Sequence, residues 1–239
     1  MMRTGRPERK RECSCDQGTG NEPVRCTHSL ITENILTYHC IMHPEARDFT
    51  VFVKNSIVDY FVNKRVLDVG SGDINGNNRF LFTNCEYSGN DVFSAPNVTI
   101  VSKTSNLPFE DNTFDTIVST ECFEHDPEYA QSFLKIVRML RPGGLLCFTC
   151  ASTGRAEHGT RRTSPRDSWG TIGNITGWTN YYKNLVFEDL DNVVHVNDVF
   201  SSYAAYYNAR SKDLYFWGIK KGANVTLPTY SAPGVIKTA

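Results

Sequence analysis

The chain has 239 residues, 40% of them hydrophobic and 21% charged, with a formal net charge of −1. That length supplies one substantial core, and that charge gives no bulk attraction to nucleic acid or an anionic membrane. No apolar run approaches the ~20 residues that span a bilayer, and the basic opening "MMRTGRPERKRE" lacks the apolar stretch of a secretory signal.

Residues 1–41 hold Cys13, Cys15, Cys26 and Cys40 with His28 and His39, and no amphipathic period. Thiolates and imidazoles are ligands zinc prefers. The spacing is not a paired knuckle, however, which favours a disordered or non-native extension ahead of Met42. Cys85, Cys122, Cys147 and Cys150 fall in apparent core elements and are expected to be reduced, as in a cytoplasmic protein. Cys147 and Cys150 stand three apart on a strand, so they point to opposite faces and make a poor redox or metal pair. In that compartment the sequons at Asn97, Asn174 and Asn224 carry no glycan.

From Met42 the pattern is regular, and residues 42–222 read as one domain. Ala46, Phe49, Val53, Ile57 and Tyr60 or Phe61 share one helical face. A strand at 65–69 leads through a glycine-bearing turn to a short helix near 77–82. "EYSGNDV" is a second strand ending at Asp91, "NVTIV" a third and "FDTIVST" a fourth. "YAQSFLKIVRML" is a helix with Phe133, Val137 and Leu140 inward, stopped by Arg141-Pro142-Gly143-Gly144. "LLCFTCA" is the fifth strand. Residues 152–184 form a long polar segment, of the kind that is functional or mobile. "LVFEDLDNV" is a short helix, two strands then join around 209–212 as a terminal hairpin, and 223–239 is expected to trail loosely. Strands alternating with helices give an α/β, Rossmann-like, doubly wound fold with a mainly parallel sheet and an antiparallel C-terminal hairpin.

The turn "RVLDVGSGDINGNN" is the default ligand site, at the carboxyl end of the first strand. Asp68, two residues before Gly70, is the informative side chain. A carboxylate there repels a pyrophosphate and welcomes an ammonium or sulfonium group. No Gly-Lys-Ser/Thr closes the turn, which excludes a P-loop. Asp91 stands where a carboxylate meets a ribose diol.

"VLDVGSG", the strand-end Asp91, "LPFEDNTFDTIVSTECFEH" and "LRPGGLLCFTCAS" occur in that order, and over residues 45–150 the chain resembles the class I S-adenosylmethionine-dependent methyltransferases, of the small-molecule, type 11-like group. The resemblance implies a seven-stranded sheet and S-adenosyl-L-methionine as cofactor. By position it places Asp68 near the methionine ammonium, Gly70, Ser71 and Gly72 at the amino-acid end, and Asp91 on the ribose. It places Thr104 and Ser105 beside the adenine, and Ser119, Thr120 and Glu121 along the methionine and its methyl. Two departures stand out: Ile74 occupies the usual third glycine position, and Lys103 lies where an acid often meets the adenine amine.

Methyl transfer to a hydroxyl needs a base, and histidine suits neutral pH. His125 beside Glu124 and His158 beyond the fifth strand are the candidates, giving a catalytic set of His158, His125 and Glu124. Arg161, Arg162, Trp178, Tyr181 and Tyr182 supply charge and aromatic faces suited to a sugar or glycan acceptor. "HGTRRTSP…WTNYYKNL" also resembles a subset of these enzymes that modify sugars, so O-methylation of a sugar hydroxyl is the expected activity. Glu121, Glu124, His125 and Asp126 cluster without a spaced triad of oxygen ligands, so no metal is expected. The rival readings are methylation of another small metabolite, an NAD-dependent oxidoreductase, and a non-catalytic cofactor-binding subunit. Nucleic acid and membrane are not expected partners, and the oligomeric state stays open.

Overall fold

The computed structural model describes residues 43–239, which lie in the unit Tyr38–Ala239. The cysteines and histidines of the zinc-or-extension question lie outside the described residues. Strands β1 (Arg65–Val69), β2 (Glu86–Asp91), β3 (Ile100–Val101), β4 (Phe114–Thr120) and β5 (Leu140–Ala151) pair in parallel in the order β3-β2-β1-β4-β5. The hairpin of β6 (Phe200–Asn208) and β7 (Asp213–Lys220) then adds antiparallel, with β7 against β5.

Helix α1 (Pro44–Ser56) starts with proline in its first turn, where a missing N–H costs nothing. It buries Ala46, Phe49 and Val53. The expected face is longer than the helix: Phe61 is buried but follows in a separate 3-10 turn region. Helix α2 (Tyr129–Met139) buries Phe133, Ile136 and Met139 rather than Phe133, Val137 and Leu140. Leu140 has already turned to extended backbone and is buried as the first residue of β5, so the Arg-Pro-Gly-Gly run lies inside that strand. The two helices cover opposite faces of the sheet. Phe49 and Cys147 share one core cluster, and Phe133 and Cys150 share the other, as strand alternation requires.

The sheet has eight strands, one more than the resemblance implies. The extra strand, β8 (Val235–Lys237), pairs with β6 and comes from the segment read as a loose tail. That segment is packed: Leu227 is buried, and the Tyr230 ring lies 5.3 Å from Phe49 and 5.9 Å from Tyr206. An aromatic group on the α1 face anchors it, a contact with no period to betray it. Between β5 and β6 the chain forms α3 (Trp169–Ile172), α4 (Phe187–Val194) and α5 (Val196–Val199).

Phe49 is fully buried and stacks on Tyr215 at 4.8 Å. Phe49→Ala is expected to cost ~3–5 kcal/mol in urea denaturation. Val58→Ala, at a position 52% exposed, should stay within about 0.5 kcal/mol of the parent.

Candidate active site

Strand order reverses between β1 and β4, so the carboxyl ends of β1, β2 and β4 meet at one edge. Open α/β sheets bind ligands at such a switch point. A cavity of about 470 Å³ opens there, walled by the turn after β1, the ends of β2 and β4, and residues 155–178 folded across them.

Asp68 is fully buried in this wall. Its Oδ1 accepts from Asn78 Nδ2 at 2.9 Å and its Oδ2 from the Tyr87 hydroxyl. Burial pushes its carboxyl up to about 6 despite both donors. Asn78 Nδ2 also lies 3.2 Å from Thr120 Oγ1. The Asn78 carbonyl oxygen is left buried, in a cavity-wall residue, with no hydrogen-bond partner among the described residues. Asp68 therefore acts through Asn78, whose amide it orients, as well as by its own field.

Gly70 adopts φ +70, and a Cβ on it would stand 2.3 Å from Cys122 Sγ. At Gly72 a Cβ would meet the Trp169 indole at 2.4 Å and Asp91 Oδ2 at 2.8 Å. Asp91 accepts from the amides of Val92 (2.7 Å) and Gly72 (3.1 Å), and burial pushes it to about 6. Each of its oxygens keeps a lone pair for a further donor. The loop that lacks the third glycine is closed by Asp73, which accepts from Gly76 N and Asn77 Nδ2, both at 2.8 Å. One 3-10 turn (Asn78–Leu81) follows. A single turn carries little macrodipole, so this crossover lacks the helix terminus that holds a pyrophosphate.

The other residues anticipated for the cofactor divide. Ser71, Thr120 and Glu121 line the cavity. Ser119 does not: it is fully buried and donates to Val69 O at 2.8 Å, bracing β4 against β1. Thr104 donates to Asn90 Oδ1 (3.0 Å) and Ser105 to Glu128 Oε2 (2.7 Å), and neither belongs to the cavity wall. Lys103 is paired with the same Glu128. Beyond Asp91, Val92 lines the cavity and Phe93 stacks on Trp169 with centroids 6.1 Å apart.

Glu121 sits at φ +51, a left-handed conformation that costs about 1 kcal/mol or more in a non-glycine residue. Its Oε1 accepts from Thr149 at 2.9 Å, and burial with Glu124 nearby raises its carboxyl well above the usual range. Glu124 is fully buried, and burial pushes it to about 7. Its own amide and that of Ala151 favour the charged form without completing a hydrogen bond, and both carboxylate oxygens are unpartnered among the described residues.

His125 and His158 meet edge to face at 4.9 Å, with Tyr182 packed against both rings at 5.6 and 5.0 Å. Burial lowers both imidazoles, His125 to about 3. His158 Nδ1 lies 3.1 Å from the Ala156 carbonyl. A carbonyl only accepts, so Nδ1 carries the hydrogen and Nε2 keeps its lone pair. Nε2 is 4.0 Å from Glu124 Oε1. Gly159 at φ +68 lets this turn approach: a Cβ there would stand 2.5 Å from His125 Cε1.

The residues anticipated for the acceptor also divide. Trp178 lines the cavity. Tyr182 backs the histidines. Arg161 binds Asn174, and Arg162 reaches Glu157 and the Asn180 carbonyl, both at 2.9 Å. Neither arginine nor Tyr181 lines the cavity. Arg155 does, and bonds Asp213 Oδ1 at 2.9 Å. Sequence reasoning passed over Asn78, Arg155 and the placement of Trp169. Only Asn78 carried a signal, as the last residue of the turn itself.

Residues 67–148 match the family model described as a methyltransferase domain. Those residues carry a methyltransferase domain. Among curated proteins, it is 43% identical over 44 residues to phthiotriol/phenolphthiotriol dimycocerosates methyltransferase 1 of Mycobacterium ulcerans, a match covering 18% of this chain and 16% of that protein. It is 39% identical over 49 residues to phosphoethanolamine N-methyltransferase 2 of Caenorhabditis elegans, covering 20% and 11%. In fold the methyltransferase domain resembles Haemonchus contortus phosphoethanolamine N-methyltransferase 2, with a TM-score of 0.50 and 15% identity over 73% of this chain and 52% of that one. The matched segments are thus a small part of the curated relatives and about half of the solved one.

Gly159→Ala adds strain at positive φ and a clash with His125, so it should lower stability by ~1–3 kcal/mol in urea denaturation. Gly177→Ala, at φ +86 with nothing within 4 Å of the new Cβ, should cost only the backbone part, about 1 kcal/mol.

Proposed function

We propose that this protein transfers a methyl group from S-adenosylmethionine to a small acceptor, a sugar hydroxyl above all. The observation that carries the cofactor half is the buried Asp68–Asn78 pair beside a glycine turn that lacks a helix dipole. In this reading Asn78 Oδ1 and the field of Asp68 hold the methionine ammonium, the Gly70–Gly72 backbone lies along the amino-acid end, and Asp91 accepts from the ribose hydroxyls. Trp169 closes over Gly72 and Asp91. When bound, the cofactor supplies an electrophilic methyl on a sulfonium. The chain's task is to hold the acceptor oxygen in line with it, an alignment worth ~7–11 kcal/mol, and to activate that oxygen.

The activating group is the Glu124–His125–His158 cluster, of which His125 and His158 line the cavity and His158 Nε2 carries the free lone pair. In the simplest form of this reading, Nε2 accepts the hydroxyl proton while Ala156 O holds the ring. Trp178 gives a sugar ring an apolar face. A second reading has its own observation. Glu121 puts a carboxylate on the cavity wall, which favours an amine acceptor, the class named for the phosphoethanolamine N-methyltransferase it resembles. A product-coupled screen of nucleotide sugars and free deoxysugars against phosphoethanolamine separates the two, and turnover with the amine alone would overturn the sugar assignment.

Calorimetry should show S-adenosylhomocysteine binding and no saturation by NAD; the reverse result removes the reading. The affinity should be level above pH ~6 and fall as pH drops below it, because protonation of the raised Asp68 carboxyl removes the charge that faces the ammonium. Asp68→Asn should weaken binding and leave only the smaller slope due to Asp91. His158→Ala should lower turnover by ~10²–10⁴-fold with S-adenosylhomocysteine affinity retained; undiminished turnover would exclude His158 from the activating group.

A further inference from the structure

The acceptor end of the cavity holds more lone pairs than protons. Glu124, His125 and His158 each offer a ligand atom, and those atoms all lie within 4.8 Å of one another. Both Glu124 oxygens and His125 Nδ1 are buried without a hydrogen-bond partner among the described residues. A buried acceptor left bare in this way costs ~1–3 kcal/mol, and three in one cluster call for a ligand that takes electron pairs. The tautomer of His158 adds to this. Its Nδ1–H is spent on the Ala156 carbonyl, and metal-bound histidines are held by such an outer hydrogen bond while the other nitrogen faces the ion.

The charge count agrees. Around the cluster, three buried or half-buried carboxylates, Glu121, Glu124 and Asp213, share one guanidinium, Arg155, which lies 2.9 Å from Asp213 and 3.9 Å from Glu121. Ionised, the set carries two uncompensated negative charges. Glu121 Oε2 and Asp213 Oδ2 likewise accept no hydrogen bond among the described residues.

We propose that Glu124, His125 and His158 form a binding site for one divalent transition-metal cation, bound by two imidazoles and a carboxylate. This donor set suits Zn²⁺, Mn²⁺, Co²⁺ or Fe²⁺ and is poor for Mg²⁺, which prefers oxygen ligands. Metal–ligand bonds of ~2.1 Å put neighbouring ligands about 3–4 Å apart, so the cluster closes by small side-chain rotations. The open side toward the cavity leaves a coordination position for an acceptor oxygen. The inference deepens the function proposed above and rests on its acceptor end: with the cation seated, His158 Nε2 is a ligand, the ion lowers the pKa of a coordinated acceptor hydroxyl in its place, and the proton leaves to solvent through the open side of the cavity.

The test uses the full chain, stripped with chelator and titrated with Mn²⁺ by electron paramagnetic resonance and with Co²⁺ by absorption. One ion per chain is expected, with imidazole–carboxylate and no thiolate character in the Co²⁺ spectrum. Glu124→Gln and His158→Ala should each weaken Mn²⁺ binding by at least ~10-fold, while circular dichroism and S-adenosylhomocysteine affinity match the parent. Should Glu124→Gln fail to fold, His158→Ala, at the cavity surface, decides alone. Absence of Mn²⁺ and Co²⁺ binding, a stoichiometric site that survives both variants, or a thiolate spectrum pointing to the N-terminal cysteines would each overturn the site. Chelator-resistant turnover would then leave His158 as proton acceptor and the methyltransferase reading intact. Loss of S-adenosylhomocysteine binding with the metal retained would fail that reading and spare the site.

Discussion

The cavity takes its character from one carboxylate with no contact with water. Asp68 is the last residue but one of β1, in the middle of the sheet, and its two oxygens are spent on Asn78 and Tyr87. Burying such a group without donors is costly, and the turn after β1 and the facing strand β2 supply one to each oxygen. Asn78 can reach back because the loop is tied by Asp73 and because a single 3-10 turn follows it. An α-helix opening here would have pointed amide dipoles at the ligand and favoured an anion. In the function proposed above, the local fold and the buried charge favour the same class of ligand for separate reasons.

The cavity wall built from the turn after β1 and the end of β2 was largely legible in the sequence because its parts are local. The strand, the glycines, the acid two residues ahead and the acid ending the next strand follow one another within about thirty residues, and parallel register carries them to one edge. What failed was one-dimensional inference about side-chain direction. Thr104, Ser105 and Ser119 stand near the right strands but spend their hydroxyls on Asn90, Glu128 and Val69. The face of α2 was misassigned because the helix stops one residue sooner, at Met139. The tail had no pattern at all, since its order comes from Tyr230 finding Phe49 and Tyr206 across the sheet.

The acceptor half was legible as composition and not as geometry. Its segment was recognised by histidine, arginine and aromatic content, yet Arg161 and Arg162 are spent on neighbours within that segment while Arg155 enters the cavity. The partnership of Glu124 with His158, or of Arg155 with Asp213, crosses 34 and 58 residues and follows no period. The family match stops at residue 148, near the end of β5. The wall formed by residues 155–178 comes after that point, whereas Glu121 and His125, which face the same cavity, lie inside the matched stretch.

The two margins of the sheet show a further property. β3 has two residues and β8 three, and Lys103 and Lys237 stand at or beside them. A free strand margin is a template on which another molecule's backbone can dock and propagate. Here the outermost strands offer only two and three residues, and Lys237 puts a charge on one of them. Margins this short offer a neighbouring backbone few hydrogen bonds, which lowers the gain from lining up margin to margin.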